Sequence, residues 1–147
     1  MYDTVLAPVD GSDAANRALT HAIDLAKQYD ATLHTIYVVE SSPAFETELD
    51  EVTEAEVYGS LFDAGERVVT DAAERADDDG VPTVETAVDR GLPHETILEY
   101  VDRTDTDLVV MGTSGRSDQA RELLGSVAER VIRSSPVPVV TVTDDDA

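Results

Sequence analysis

Residues 2–26 read YDTVLAPVDGSDAANRALTHAIDLA, and the order of patterns within them decides the fold. The apolar run 2–9 ends at Asp10-Gly11-Ser12, a turn signal, and reads as a buried strand. Ala15, Ala18, Leu19, Ala22 and Ala26 then recur at helical spacing, with Asp24 and Lys27 off that face, and Ser12 or Asp13 stands where an N-cap belongs. A strand that runs through a tight turn into a helix is the first half of a βαβ unit.

The same alternation continues outward. Residues 31–39 form a second, largely apolar strand, as expected of one covered on both faces. The acidic stretch from Glu40 to about Thr53 reads as a loop. A longer helix is predicted from about Glu54 to Asp78, with Leu61, Ala64, Val68, Ala72 and Ala76 on its buried side and Asp79-Gly80 as its stop. Residues 82–89 read as a third strand. Gly91-Leu92-Pro93 leads into a short helix carrying Ile97, Leu98 and Val101. Residues 107–111, DLVVM, are the most hydrophobic strand, and 137–143 are the last. Five strands alternating with helical segments predict a single α/β domain, a Rossmann-like three-layer sandwich with a parallel sheet and helices on both faces. The runs around Val5 and Val109 belong at its centre. Pro138 cannot donate a ladder hydrogen bond, so the last strand belongs at an edge. That strand is nonetheless apolar (Val137, Val139, Val140, Val142), and pairing with a second copy would cover it; coverage by the acidic tail, residues 144–147, is the alternative.

Composition excludes several functions. The 147 residues suit one hydrophobic core, and there is no cysteine for disulfides, thiol catalysis or thiolate metal sites. No apolar run is long enough to cross a membrane, and the N-terminal residues lack the pattern of a signal peptide, so a cytoplasmic location is expected. His21, His34 and His94 have no metal-ligand spacing. The formal charge is −22, with nine arginines and one lysine, and the acid is spread through the chain rather than gathered in a tail. The plainest reading is a surface adapted to molar intracellular salt, where the Debye length falls to about 3 Å and self-repulsion is screened. An acidic interaction surface is the rival reading. With no basic stripe to neutralise phosphates, nucleic acid is a poor partner.

Ligands of open α/β sheets bind beyond the carboxyl ends of the strands, where strand order reverses. Three segments answer that description: Pro8-Val9-Asp10-Gly11-Ser12, Val38-Val39-Glu40, and Met111-Gly112-Thr113-Ser114-Gly115-Arg116 with the later Gly125-Ser126. Gly112 and Gly115 let backbone N–H groups approach a ligand, Thr113, Ser114 and Ser117 add hydroxyls, and Arg116 adds a scarce cation. Ser126-Val127-Ala128-Glu129 fits a capping box, which predicts a helix beginning there with Ser126 as N-cap, anchored by Val131 and Ile132 and offering free N–H groups to phosphate. Taken singly, Gly112 could merely end a strand, Gly125 could pack within one helix from about Ser117 to Arg133, and Arg116 could be a solvated surface residue. Their joint position favours a ligand.

Gly112-x2-Gly115-x9-Gly125-Ser126 resembles the nucleotide-binding motif of the universal stress protein family, in its ATP-binding branch. The resemblance extends over VLAPVDGSDAA (5–15), LHTIYVVE (33–40), RGLPHETIL (90–98), DLVVMGTSGRS (107–117), LLGSVAERVI (123–132) and SSPVPVVTV (134–142). It implies a five-stranded parallel sheet ordered 3-2-1-4-5 and a homodimer joined through the last strand, residues 137–143. It also implies ATP, or ADP or AMP, bound with Mg²⁺ or Mn²⁺ that arrives with the nucleotide. By position, Pro8, Val9 and Val38 would wall the adenine, with Met111 beside them. Asp10 would face the ribose or the metal, and Gly112 would lie by the ribose. Thr113, Ser114, Gly115, Arg116, Ser117, Gly125, Ser126 and Val127 would line the phosphate path. Asp118 departs from the glycine or neutral polar residue more usual there, and a carboxylate at that place repels a γ-phosphate unless it turns outward or caps a turn.

The function so implied is a nucleotide-binding regulator of the stress-response type. No catalytic constellation stands out, because His34 and His94 fall on a strand and a helix start without positioned partners. A slow ATPase or phosphotransferase would use the same pocket, with Asp10 orienting water and Arg116 stabilising charge. DGSDAA resembles the glycine-rich loop of nucleotidyl-transfer enzymes only faintly, and no GxGxxG follows the first strand as a dinucleotide site requires.

Overall fold

The computed structural model describes residues 1–41, 50–113 and 124–143. Its elements are β1 (Thr4–Pro8), α1 (Asp13–Tyr29), β2 (Thr32–Glu40), α2 (Glu51–Asp78), β3 (Val84–Gly91), α3 (Pro93–Arg103), β4 (Leu108–Gly112), α4 (Ser126–Ser134) and β5 (Val139–Val142). All pairings are parallel, and the order is β3-β2-β1-β4-β5. This is the Rossmann-like fold that the sequence predicts, in the strand order that the family resemblance implies.

Strand alternation divides the core in two. Val5, Ala7, Leu33, Val39, Leu108 and Val110 point to one face, where they meet Ala18, Leu19, Ala22, Ile23 and Ala26 of α1 and Val69, Ala72 and Ala76 of α2. Leu6, Ile36, Val109 and Met111 point the other way, onto Ile97, Tyr100 and Val101 of α3 and Ala128 and Val131 of α4. The Asp107 carboxylate ties the starts of β1 and β4 together, accepting the N–H groups of Asp3 (2.8 Å) and Thr4 (3.0 Å).

Local chemistry sets the helix starts. The Ser12 hydroxyl accepts the Ala15 N–H (3.2 Å) and caps α1, so Ser12 is the N-cap and Asp13 the first helical residue. α2 begins at Glu51, earlier than the pattern suggests, because Asp50 caps it by accepting the Thr53 N–H (2.7 Å). That backbone hydrogen bond also holds the Asp50 carboxyl below the usual range. β2 runs on to Glu40, so the predicted 40–53 loop loses both ends, and residues 42–49 lie outside the described residues.

Three packing expectations are corrected. The buried stripe of α2 is Tyr58, Gly65, Val69, Ala72 and Ala76, while Leu61 is exposed and Val68 sits at the margin. Gly65 rotates the stripe: a Cβ there would stand 2.6 Å from Cδ1 of Tyr37 and 3.0 Å from Val88, so the helix presses its glycine onto the sheet. On α4, Val131 is fully buried but Ile132 is 43% exposed, because so short a helix packs by the Ala128/Val131 spacing alone. The last strand starts at Val139 rather than 137; Pro138 contributes only its carbonyl, which accepts the Val109 N–H (3.1 Å). Among the described residues no helix is long and apolar enough to cross a membrane.

Candidate functional site

β1 lies between β2 and β4, so the chain leaves it toward opposite sides of the sheet. The loops beyond the three strands diverge there and open a cleft of about 660 Å³. Its base is apolar, formed by Pro8 and Val9 from the end of β1, Ile36 and Val38 from β2, and Met111 from β4. Pro93 and Ile97, from the first turns of α3, form one side. Gly112, Thr113 and the α4 start from Gly125 to Ala128 form the other.

The polar groups have distinct local causes. Asp10 is fixed by its own turn: Oδ1 accepts the Ser12 N–H (2.9 Å), and Gly11 takes the positive φ of 82° that the turn needs. Oδ2 has no hydrogen-bond partner among the described residues. Gly112 has a tight neighbour, since a Cβ would meet the carbonyl carbon and Cβ of Ala14 at 2.8 Å and the Ala15 nitrogen at 2.9 Å. The first turn of α1 therefore lies directly on this glycine. The Thr113 hydroxyl is buried without a hydrogen-bond partner.

α4 begins at Ser126, as the sequence predicts, but not through a capping box. Gly125 is the N-cap and Ser126 the first helical residue, so the Ser126 side chain does not cap, and no side chain among the described residues does. The Gly125 N–H is already given to the Thr113 carbonyl, which fixes where the helix begins. The first intrahelical bond runs from the Glu129 N–H to the Gly125 carbonyl (3.0 Å). Among the described residues, that leaves the N–H groups of Ser126, Val127 and Ala128 without a partner at the positive end of the helix dipole, the arrangement that accepts an anion.

Of the residues singled out from sequence, Pro8, Val9, Asp10, Val38, Met111, Gly112, Thr113, Gly125, Ser126 and Val127 all line this one cleft. Ser114, Gly115, Arg116, Ser117 and Asp118 lie outside the described residues. Glu40, from the segment picked out after the second strand, lines the cleft too, whereas sequence reading missed Ala15, Ile36, Pro93, Ile97 and Ala128. One of these was within reach: residues 36, 38 and 40 share a strand face, so Val38 in the wall implies Ile36. Among the described residues, the lining holds two carboxylates and no lysine or arginine, and no cluster of three His, Asp or Glu side chains could hold a metal ion. His94 sits in the first turn of α3 but does not line the cleft.

Known proteins of this shape are many. The profile of the universal stress protein family matches residues 1–143. Universal stress protein MJ0531 of Methanocaldococcus jannaschii is 37% identical over 97% of this chain and 82% of its own length. Hypothetical protein MJ0577, the subject of a structure-based assignment of biochemical function, superposes with a TM-score of 0.87 at 26% identity, covering 100% of this chain and 99% of its own. A universal stress protein solved in complex with cAMP superposes with a TM-score of 0.71 at 28% identity, covering 98% of each chain.

Proposed function

The chain belongs to the universal stress protein family, and on that premise we propose that it is an ATP-binding regulatory protein that works as a homodimer. One observation carries the nucleotide reading. Three backbone N–H groups at the start of α4, without partners among the described residues, stand in the same cleft as the unpartnered Thr113 hydroxyl. A buried hydroxyl without a partner costs about 1–3 kcal/mol, and a phosphate oxygen would satisfy it. The apolar end formed by Pro8, Val9, Val38 and Met111 suits a base, and the volume suits a mononucleotide. The relative held with cAMP supports the same ligand class.

Phosphate charge needs an answer that the described lining does not supply, since Asp10 and Glu40 are both acidic. Mg²⁺ or Mn²⁺ on the phosphate oxygens would provide it, with Asp10 Oδ2 within the cleft as an indirect contact through water. Gly115, Arg116 and Ser117 complete the phosphate path in this proposal. Given the net charge of −22, binding works best in high salt, as in a halophile's cytoplasm. The dimer forms through β5, the edge strand that leaves Val140 38% exposed.

The test starts from protein purified in molar KCl with Mg²⁺. Denaturation should release ATP or ADP, and the stripped protein should take up ATP stoichiometrically. Val38→Trp fills the base end and should abolish uptake while the circular dichroism stays unchanged. A protein that comes empty and ignores ATP, ADP and cAMP at millimolar concentration would end this reading. A slow ATPase is the second reading, favoured by the free Oδ2 of Asp10, which could orient water. Multiple turnover that disappears in Asp10→Ala with binding kept would establish it.

A further inference from the structure

Away from the cleft, the underside of α3 covers a polar group in an otherwise apolar layer. His34 of β2 lies half-buried there, its Nδ1 2.6 Å from the Tyr100 hydroxyl and its ring set edge-on to the tyrosine at 5.5 Å. Around the pair stand Glu85 and Asp89 from β3 and Arg103 from α3. β1 presents Leu6, the register partner of His34. Arg103 pairs with Asp89 (3.2 Å) and lies 5.1 Å from the Tyr100 ring. Burial lowers the His34 pKa, with the Glu85 carboxylate pulling the other way, and burial raises that of Tyr100.

The same helix forms a wall of the nucleotide cleft. Ile97, one turn before Tyr100, lines it together with Pro93. On β2, Ile36 and Val38 follow His34 on the same strand face and line it too. α3 is thus seated at one end on a titratable pair and at the other on the ligand space.

We propose that the His34–Tyr100 contact is a proton-sensitive seat for α3, so that acidification loosens this wall and weakens nucleotide binding. In the neutral Nε2–H tautomer, Nδ1 accepts from the Tyr100 hydroxyl. Protonation turns Nδ1 into a donor, forces the hydroxyl to reverse, and places a second cation beside Arg103 in a half-desolvated layer. The hydroxyl can turn to accept, so the cost lies in the buried charge, and the ring regains water when Tyr100 moves off it and carries its helix along. His34 and Tyr100 are positioning residues in this scheme, since neither lines the cleft. The scheme rests on the nucleotide reading for its ligand but not for its motion.

The experiment follows the Ile97 and Met111 methyl resonances of the free protein from about pH 7.5 to 5.5 alongside the His34 ring signals, and titrates ATP with Mg²⁺ at both ends. The methyls should shift with the His34 midpoint, and affinity should fall about fivefold at the acid end, the low side of usual coupling between sites. His34→Gln and Tyr100→Phe should both flatten the methyl shifts and the affinity profile, and His94→Gln should leave them intact. Methyl shifts that ignore the His34 midpoint, or a pH response that survives in His34→Gln or vanishes in His94→Gln, would overturn the proposal. Methyls that track His34 in a protein that binds no ATP would uphold the coupling and sink the nucleotide reading instead.

Discussion

The two faces of the sheet are built from alternate residues of the same strands, yet they do different work. Toward α1 and α2 the layer is continuous and dry: Val5, Leu33, Val39 and Val110 meet the alanines of α1 and Val69 of α2. Toward α3 and α4 the layer stops short of the strands' carboxyl ends, and Ile36, Val38 and Met111 pass from core into the cleft wall. The difference lies in the helices. α1 and α2 are 17 and 28 residues long, whereas α3 and α4 are 11 and 9. Short helices leave the strand ends uncovered and their own N-termini free. One face therefore holds the fold together, and the other leaves the opening.

Truncating the dry face should give the largest effect. Ile23 is almost completely buried between α1 and the sheet. Ile23→Ala should lower the unfolding free energy by about 2–5 kcal/mol, measured by denaturant titration in molar KCl. Affinity for ATP, measured well below the new midpoint, should change less than twofold. If the affinity fell in step with stability, the division of labour between the faces would be wrong.

This division also explains what was legible in the sequence. The parallel α/β class, the central β1 and β4 and the edge β5 were legible because each apolar run, turn and helix agreed, while the full strand order came from the family resemblance; Ser12 capped where its type and place suggested. The face of a central strand was not legible: Val5 and Leu6, or Val110 and Met111, are equally apolar neighbours buried on opposite sides. The cleft was read through its glycines and through Asp10, so the apolar wall of Ile36 and Ile97 escaped. The cap of α4 was misread because S-x-x-E is a pattern of side chains, while a backbone bond from Gly125 to Thr113 decides where the helix starts.

Two threonines allow a finer test. Thr35, on β2, and Thr113, after β4, each bury a hydroxyl without a hydrogen-bond partner. Thr35 is completely buried, whereas Thr113 lines the cleft. Replacing either with valine removes an unsatisfied polar group at little change in shape, so both variants should gain about 1 kcal/mol of stability. Only Thr113→Val should lose ATP affinity, by about tenfold for one hydrogen bond to a charged phosphate. Equal losses of affinity in both, or in neither, would erase the distinction between a structural orphan and a ligand contact.

The smallest effect comes from His34, which stands at the junction of the strand layer and α3. Its folded pKa is lowered by burial, so between the folded and the ordinary value the unfolded chain binds more protons than the native one. Stability from this group is therefore complete above about pH 6.5 and is lost as pH falls through the lower folded value. The many carboxylates act in the opposite sense on acidification, since protonating them relieves self-repulsion at a net charge of −22. The readable quantity is accordingly a difference: thermal midpoints of the protein and of His34→Gln, each taken at about pH 7.5 and pH 5.5. Acidification should cost the histidine protein more than the glutamine variant. Parallel shifts would mean that the ring takes up its proton as freely in the fold as outside it, and the face that carries the cleft would then have no proton-sensitive group in its core.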